Sequence, residues 1–355
     1  MPPSEQMLII DGRAGEGGGQ VLRTSLSLSA LTGRPFRIIN IRGNRSKPGL
    51  RPQHLTAVRA VAAICQAELE GDTLNSSTLT FRPTTPVQGG NYTFDVTEAS
   101  PTGRSAGAIT LIFQALLWPL LFAAEPTTLR LQGGTHVPFS PPYHYLAHVA
   151  APAFAQLGVP NLQLTLAAWG WMATGGGEIT AVIPPITALQ ATTFTPAVVE
   201  RVDGIAAVTN LPAHIPQRMA RRAYNLLTNA GLATNIAPIR ERGSGPGAGI
   251  YLWLPQAGFG ALGQKGVPAD KVAETAVRDL LAFVESETAV DPHLADQLLL
   301  PLALAHGRSQ FTTSQISQHT LTNADLLRQW LDVEIEISAG LDRPGQIAVV
   351  GTSWA

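Results

Sequence analysis

The sequence has little cysteine and little charge, and each shortage excludes a class of protein. Cys65 is the only cysteine among 355 residues, so an internal disulfide is impossible and zinc sites built from paired cysteines are excluded. Charged residues make up 14% of the chain and the net charge is −1, so no overall field attracts nucleic acid. An anion site must therefore come from a local cluster of cations.

Familiar catalytic and membrane signatures are missing as well. No HExxH motif occurs, and the glycine turn "GEGGGQ" (15–20) lacks the lysine of a P-loop and the third glycine of a dinucleotide-binding turn. The longest apolar run (108–124) contains a glutamine and a proline and is short for a membrane span, so it predicts a buried core helix. Because no N-terminal secretion signal is visible either, we expect a cytoplasmic protein that does not bind membranes.

What the chain does contain is a recurring pattern of helices and strands. Regions that begin at Gly19, Ser105 and Asp291 each predict a helix, a strand, a loop, a second helix and a closing strand. Repeated units of this kind imply a pseudo-symmetric domain whose sheets bury one face under helices. At 45% hydrophobic residues, the chain has enough apolar material for such a core.

A smaller unit interrupts this pattern before the third repeat. The proline-rich segment 183–196 is typical of a linker, and the residues after it predict strands and two helices. The predicted fold is therefore of the α/β (α+β) class. A large domain of three repeated helix–strand–loop–helix–strand units (1–184 and 281–355) holds a smaller inserted α/β domain (185–280).

The loop after the first predicted strand concentrates positive charge. It is stiffened by Pro48 and Pro52, and it ends at a predicted helix start. Its cations, with no acidic residue between them, are Arg42, Arg45, Lys47 and Arg51. The pattern favours an anion-binding loop over the alternative, a solvated surface loop.

Predicted helix starts carry polar residues that are candidates for a site. Gln20 and Arg23 lie one turn apart on one helix face. Asp296 and Gln297 open an otherwise apolar helix, where Asp296 either lines a site or caps the helix. His319 stands at another helix start, where free backbone N–H groups disfavour a protonated imidazole and leave a nucleophile. The alternative for His319 is a structural histidine.

Four segments, in this order, resemble the RNA 3′-terminal phosphate cyclases: "DGRAGEGGGQVLRTSLSLS", "IRGNRSKPGLRPQHLTAV", "HLADQLLLPLALA" and "SQHTLTN". The resemblance covers nearly the whole chain, including the inserted unit, and implies the three-unit fold. It also implies ATP-dependent conversion of an RNA 3′-terminal phosphate to a 2′,3′-cyclic phosphate, through a histidine–AMP intermediate and an adenylylated RNA end. The chain departs from the family at Met172-Ala173, where members have Tyr-Pro, and at Pro52, where a larger side chain is common.

The resemblance implies roles for particular residues. His319 matches the nucleophile, and Arg23, Arg42 and Arg45 match catalytic residues that hold phosphates. The implied nucleotide- and phosphate-binding residues are Gln20, Gln53, Gln114, His293, Leu294, Ala295, Asp296 and Gln297. The implied partner is an RNA with a 3′-terminal phosphate, and the oligomeric state stays undetermined.

Glu16 places a carboxylate inside the glycine turn, where alone it would repel phosphate. A divalent cation between the two reverses the sign of the interaction, and ATP chemistry needs such an ion. Glu16 is therefore a candidate ligand for Mg²⁺ or Mn²⁺.

Two other functions fit parts of the sequence. A non-catalytic cyclase-like protein that binds RNA in ribosome assembly would lack the nucleophile, and His319 within its full motif argues against it. An enolpyruvyl-transferase-like enzyme would share the repeat architecture but would form no histidine–AMP adduct.

Overall fold

A computed structural model describes residues 7–160 and 162–354. Residues 1–6, 161 and 355, which belong to the predicted large domain, lie outside the described residues. The chain is a mixed α/β protein, and this confirms the predicted class. Its described strands form four sheets, and a pair of connecting helices or helical segments accompanies each sheet.

The first sheet has the spatial order β1-β2-β4-β3, with β1 parallel to β2 and the other pairs antiparallel. Gly33 ends the first helix at φ 69°, a left-handed conformation that favours glycine, and Pro52 opens the second helix. The elements are β1 (Leu8–Asp11), α1 (Gln20–Thr32), β2 (Phe36–Ile39), α2 (Pro52–Cys65), β3 (Glu68–Glu70) and β4 (Leu79–Arg82).

The second sheet has the order β5-β6-β8-β7. Its elements are β5 (Gly90–Asp95), a 3₁₀ turn (Val96–Ala99), α3 (Ile109–Leu121), β6 (Thr127–Gly133), α4 (Tyr143–Tyr145), α5 (Ala151–Ala155), β7 (Gln163–Ala168) and β8 (Gly177–Ile183). The helix predicted from Tyr143 is interrupted, because Leu146–Ala150 form a π-helical turn. Pro152 has no N–H to donate to the carbonyl of His148, which explains the irregularity.

The third sheet has the order β10-β9-β11-β12 and its own core. Its elements are β9 (Arg201–Thr209), α6 (His214–Asn229), β10 (Ala233–Glu241), β11 (Gly247–Leu254), β12 (Ala257–Leu262) and α7 (Ala269–Glu285). Val202, Met219 and Phe283 belong to this second core. Since Phe283 packs with this unit, we propose that the inserted domain ends after α7 and that the predicted boundary at 280 moves accordingly.

The fourth sheet is antiparallel, with the order β13-β15-β14. Its elements are α8 (Pro292–Leu304), β13 (Arg308–Thr313), α9 (Gln318–Trp330), β14 (Glu334–Ile337) and β15 (Gly345–Val350). Its helices share one large core with those of the first two sheets. The three-repeat relation among these sheets stays a prediction.

The long apolar run is a buried helix, as predicted. All residues of α3 except Gln114 are buried. Within the part of the chain that the structure describes, no helix is both long and apolar enough to cross a membrane.

Candidate active site

Three predicted site residues from distant parts of the chain meet at one point. Gln20 begins α1, Asp296 lies on α8, and His319 is the second residue of α9. The Nε2 of Gln20 donates a hydrogen bond to the carboxylate of Asp296. The Oε1 of the same amide lies 2.8 Å from His319 Nδ1. One buried glutamine therefore connects the candidate nucleophile to the apolar helix.

Glu16 faces the other side of the imidazole. Its Oε2 accepts a hydrogen bond from Arg45 Nη2 at 2.7 Å and lies 3.4 Å from His319 Nε2. All three side chains are partly open to solvent, at 37% exposure for Glu16, 42% for Arg45 and 41% for His319. The cationic loop, the glycine turn and the start of α9 thus converge around this carboxylate.

The glycines let the turn approach its neighbours closely. Gly15 has φ +59°, and a Cβ there would overlap the hydroxyl of Thr322. A Cβ at Gly19 would lie 2.5 Å from His54 Nε2 and 2.9 Å from Arg23 Nη1. The turn is therefore packed between α9 and the basic groups of the first unit, with room for backbone only.

Arg23 and Asp296 balance each other electrostatically. Burial lowers the pKa of Arg23 to about 10, and the charge of Asp296 opposes this shift. Burial likewise raises the pKa of Asp296, while His319, Arg23 and the hydrogen bond from Gln20 act in the opposite direction. These opposite charges are partly shielded from water and line the same pocket, so they interact more strongly than an exposed pair would.

Arg42 is turned toward its own loop. Its Nη1 donates to the carbonyl oxygens of Lys47 at 2.6 Å and Gly49 at 3.1 Å. Burial, and then the charges of Arg51 and Arg45, lower its pKa. Arg42 therefore braces the cationic loop through one nitrogen of its guanidinium.

His54 was not predicted as a site residue. It is buried at the start of α2, and the backbone N–H of Arg51 donates to its Nδ1 at 3.4 Å. Burial, and then the charges of Arg42, Arg23 and Arg51, hold its pKa well below the usual range. The signal available in the sequence was its place directly after the cationic loop, at a predicted helix start.

The predicted glutamines hold helices together. Gln53 Oε1 accepts a hydrogen bond from the backbone N–H of Ala108 at 2.9 Å, which ties α2 to the start of α3. Gln114 Nε2 donates to Gln297 Oε1 at 2.8 Å, and Gln297 Nε2 donates to the carbonyl of His293 at 3.1 Å. This second pair links α3 to α8 beside Asp296.

Asp296 does not cap its helix, so that alternative is wrong. Asp291 is the N-cap of α8, and its Oδ1 accepts from the backbone N–H groups of His293 and Leu294 at 2.7 and 3.0 Å. The side chains of Leu294 and Ala295 are fully buried in the core. Of the predicted segment 293–297, only the side chains of His293, Asp296 and Gln297 are therefore open to a ligand.

An open pocket of about 550 Å³ lies against Gln20. Its polar lining residues are Gln20, Arg23, Thr24, Ser27, Gln114, Asp296, Gln297 and Asn323. Its apolar lining residues are Phe113, Leu117, Trp118, Leu146, Phe154 and Leu300. His319 lies one hydrogen bond beyond this lining, through Gln20.

Comparison with known proteins identifies the family. A family model described as RNA 3′-terminal phosphate cyclase matches residues 14–337, which include both ends of the site from Glu16 to His319. The chain belongs to the RNA 3′-terminal phosphate cyclase family.

Relatives across the family are similar over nearly their whole length. The protein named RNA 3′-terminal phosphate cyclase from Gloeothece citriformis is 47% identical over 348 residues, 96% of this chain and 99% of that protein. Its namesake from Nostoc punctiforme is 49% identical over 337 residues, 94% of this chain and 96% of that protein. The one from Pyrococcus furiosus is 37% identical over 353 residues, 98% of this chain and 100% of that protein.

A solved structure of the enolpyruvyl transferase NikO from Streptomyces tendae gives a TM-score of 0.40 at 10% identity. It covers 97% of this chain and 48% of that chain. This similarity is too weak to indicate a shared fold or a shared function.

Two further residues connect this family's motifs in the structure. Thr24 Oγ1 donates to Asn323 Oδ1 at 3.0 Å, and Asn323 Nδ2 lies 3.3 Å from Asp296 Oδ1. Neither Thr24 nor Asn323 was predicted. Both lie inside the segments that carry the resemblance, but no chemical pattern in those segments distinguishes them.

The side chains around Glu16 fit a metal ion only if substrate phosphates and water supply the remaining ligands. Among residues 7–160 and 162–354, no group of three or more His, Cys, Asp or Glu side chains is arranged to hold a metal ion. Mg²⁺ is commonly bound by one or two carboxylates plus substrate phosphates and water. The single carboxylate of Glu16 meets that requirement, and its Oε2 is shared with Arg45.

Proposed function

We propose that this chain uses ATP to convert an RNA 3′-terminal phosphate to a 2′,3′-cyclic phosphate, with His319 as the nucleophile. The observation that carries the proposal is the setting of the His319 ring. Its Nδ1 lies against Gln20, and its Nε2 faces the junction of the glycine turn and the cationic loop. Membership of the cyclase family supports the reaction class.

In the first step, the lone pair of His319 Nε2 forms a bond to the α-phosphorus of ATP. The bond from that phosphorus to the β-phosphate oxygen breaks, and pyrophosphate leaves. The imidazole keeps its Nδ1 proton, which Gln20 Oε1 accepts in a hydrogen bond. Arg23 and Arg45 supply guanidinium groups near the reacting phosphates, where planar forks suit phosphate oxygens.

In the second step, an oxygen of the RNA 3′-phosphate attacks the same phosphorus. The P–Nε2 bond breaks and its electron pair returns to the imidazole. In the third step, the 2′-hydroxyl oxygen forms a bond to the RNA phosphorus and its proton passes to solvent. The bond from that phosphorus to the AMP phosphate oxygen breaks, and AMP leaves. This last step is intramolecular, because the 2′-hydroxyl and the 3′-phosphate are attached to the same ribose, and the chain needs only to orient them.

A Mg²⁺ or Mn²⁺ ion would be held by Glu16 together with phosphate oxygens and water, and it would neutralise phosphate charge when bound. The chain's own contribution is to orient that carboxylate through Arg45.

The remaining predicted residues have proposed roles beside the nucleophile. Gln114 of α3 and Gln297 of α8 line the pocket, where they can contact the nucleoside. His293 lies one turn before Gln297 on α8 with an exposed side chain, and we assign it to the same nucleoside contact. Gln53 has its oxygen bonded to Ala108, which leaves its amide nitrogen available as a donor to a phosphate. Arg42 has two proposed roles. Its Nη1 holds the cationic loop in shape, and its second terminal nitrogen is left to contact a phosphate.

Covalent labelling tests the proposal. The wild type, incubated with α-labelled ATP and Mg²⁺ and then denatured, should retain label that is released by acid and stable to base, as expected for a phosphoramidate. His319→Ala should retain none. His306→Ala is a matched control, because His306 is exposed, bonds to Ser353 and lies outside the site, and it should label normally.

Label that persists in His319→Ala, or that maps to another residue, would show that the nucleophile is assigned wrongly. Absence of label from the wild type, combined with binding of a 3′-phosphorylated RNA, would instead favour a non-catalytic RNA-binding protein.

A further inference from the structure

We propose that Gln20 is a positioning residue that holds His319 in the tautomer with a proton on Nδ1 and a free lone pair on Nε2. Asp296 sets the orientation of the Gln20 amide and thereby the tautomer of the imidazole. This inference rests on the proposed function, since it explains how His319 is kept ready to attack. It gives Gln20 and Asp296 a role that differs from direct nucleotide binding.

The direction of each hydrogen bond follows from what Asp296 can accept. A carboxylate is an acceptor only, so the NH₂ end of the Gln20 amide must face it. The Oε1 end then faces His319, at 2.8 Å from Nδ1. An amide oxygen cannot donate, so Nδ1 must carry the proton. In a neutral ring, Nε2 is then unprotonated.

A second amide, that of Asn323, also faces Asp296 with its nitrogen. The hydroxyl of Thr24 donates to Asn323 Oδ1 at 3.0 Å, which leaves the Asn323 NH₂ facing Asp296. Asn323 Nδ2 lies 3.3 Å from Asp296 Oδ1 and from the Asp296 carbonyl oxygen. Both amide nitrogens therefore point at Asp296, and reversing either amide would place two acceptors in contact.

The tautomer decides whether the atom that faces the phosphates can react. A free histidine side chain in water prefers its proton on Nε2, the atom that lies toward Glu16 and Arg45 here. In that form the nucleophilic lone pair would point at Gln20 instead. The hydrogen bond from Nδ1 to Gln20 reverses this preference, as the partner of one ring nitrogen does in other functional histidines.

The hydrogen-bond network can fix the tautomer of His319 because most of the network is buried. Gln20, Thr24 and Asn323 are buried, whereas the His319 ring is partly exposed. Water cannot easily replace the protein partners of the buried amides, so their orientation is held by the fold. The exposed side of the ring is left for substrate.

Nitrogen-15 NMR of histidine-labelled protein tests the tautomer without ATP. At a pH where the ring is neutral, the His319 signals, assigned by their loss in His319→Ala, should show Nδ1 protonated and Nε2 unprotonated. Gln20→Met removes both hydrogen-bonding groups at similar volume and should shift the ring toward the Nε2–H form. Asp296→Asn keeps the shape but no longer dictates the amide orientation, and it should give a mixture of tautomers.

Kinetics distinguish positioning from ATP binding. The rate of histidine adenylylation should fall roughly ten- to a hundredfold in Gln20→Met, the range seen when partners that orient functional histidines are removed. The KM for ATP should change little, because Gln20 acts on the nucleophile. Gln318→Met is the matched control on the first turn of α9. Its side chain bonds only weakly to Thr322, so both tautomer and rate should be preserved.

Three outcomes would overturn the proposal: an Nε2–H ring in the wild type, an unchanged tautomer in both Gln20→Met and Asp296→Asn, or a large rise in KM for ATP at unchanged kcat. If Gln20→Met fails to fold, the tautomer in Asp296→Asn decides. If the wild type forms no adenylate at all, the proposed function fails, but the tautomer measurement still stands on its own.

Discussion

Glu16 is the residue whose charge has the most consequences in the site, because it contacts both Arg45 and His319. We expect Glu16→Gln to shift the Mg²⁺ dependence of adenylylation to higher concentration, since a neutral amide is a poor ligand for a hard cation. The free energy of unfolding should change by less than about 1 kcal/mol, because exposed ion pairs contribute little. A Mg²⁺ titration followed by α-label incorporation, together with urea unfolding, measures both effects.

The matched control for this variant is Glu70→Gln. Glu70 forms an ion pair with Arg82 at the same 2.7 Å but lies on β3, in a different part of the first unit. It should leave the Mg²⁺ titration unchanged. If Glu16→Gln also titrates like the wild type, Glu16 is a structural partner of Arg45 and holds no metal.

At the scale of a single element, the start of α1 is crowded, and Gly19 fits there because it has no side chain. Gly19 has φ −80° and ψ −7°, a conformation that alanine adopts without strain. An added methyl group would nevertheless press on His54 Nε2 and Arg23 Nη1. We expect Gly19→Ala to lower stability by about 1–3 kcal/mol, as overpacking does, and to reduce adenylylation by moving Arg23.

Gly340→Ala separates crowding from the general effect of replacing glycine. Nothing lies within 4 Å of a Cβ at Gly340. This variant should stay within about 0.5 kcal/mol of the wild type and keep full activity. Urea unfolding and initial rates measured on both variants make the comparison, and equal behaviour of the two would contradict the crowding argument.

At the scale of the whole molecule, a cluster of rings joins the second sheet to the third. His136 stacks on Trp169 at 4.4 Å, and His144 lies parallel to Tyr251 of β11 at 5.7 Å. His136 Nε2 and His144 Nδ1 are 2.9 Å apart. Burial lowers the pKa of His144 to about 3, and that of His136 also falls well below its usual range. Both rings are therefore neutral in the folded protein near pH 7.

Stability should consequently fall on acidification. An unfolded chain protonates these imidazoles near pH 6.5, so below that pH the unfolded state binds more protons than the folded state. The stabilisation is fully present above pH 6.5 and is lost progressively as the pH falls toward the folded-state pKa of His144, about 3. Each ring should contribute a slope of about 1.4 kcal/mol per pH unit. Urea unfolding between pH 6.5 and 5 measures this slope.

His144→Gln keeps a polar side chain but removes one titrating group. The pH dependence of its unfolding free energy should therefore be smaller than that of the wild type by the contribution of one ring. His214→Gln, at an exposed position on α6, should keep the wild-type slope. The same slope in His144→Gln and in the wild type would mean that other groups cause the acid sensitivity.

Most helices could be predicted, but several strands could not. Apolar periodicity indicated α1 and α2 near their observed bounds, although Pro52 and Gln53 were assigned to the preceding loop and instead open α2. β12, with the sequence AGFGAL, was missed because small residues and glycines have low strand propensity. It exists because β11 pairs with it over its whole length, and this pairing is a tertiary effect.

The sequence by itself determined the family, the buried helices and the chemical types in the site. These depend on residue identity and local spacing, and both are visible along the chain. It also brought His319, Gln20 and Asp296 forward as candidates.

Only the tertiary structure decided how those side chains are connected. The Gln20–His319 and Gln20–Asp296 contacts join residues 299 and 276 positions apart. The tertiary structure likewise turned Arg42 toward its own loop, made Asp291 the cap of α8 and placed His54 against the glycine turn. Hydrogen bonds and electrostatic interactions depend on distances of a few ångströms between atoms, and the packing of distant segments sets those distances.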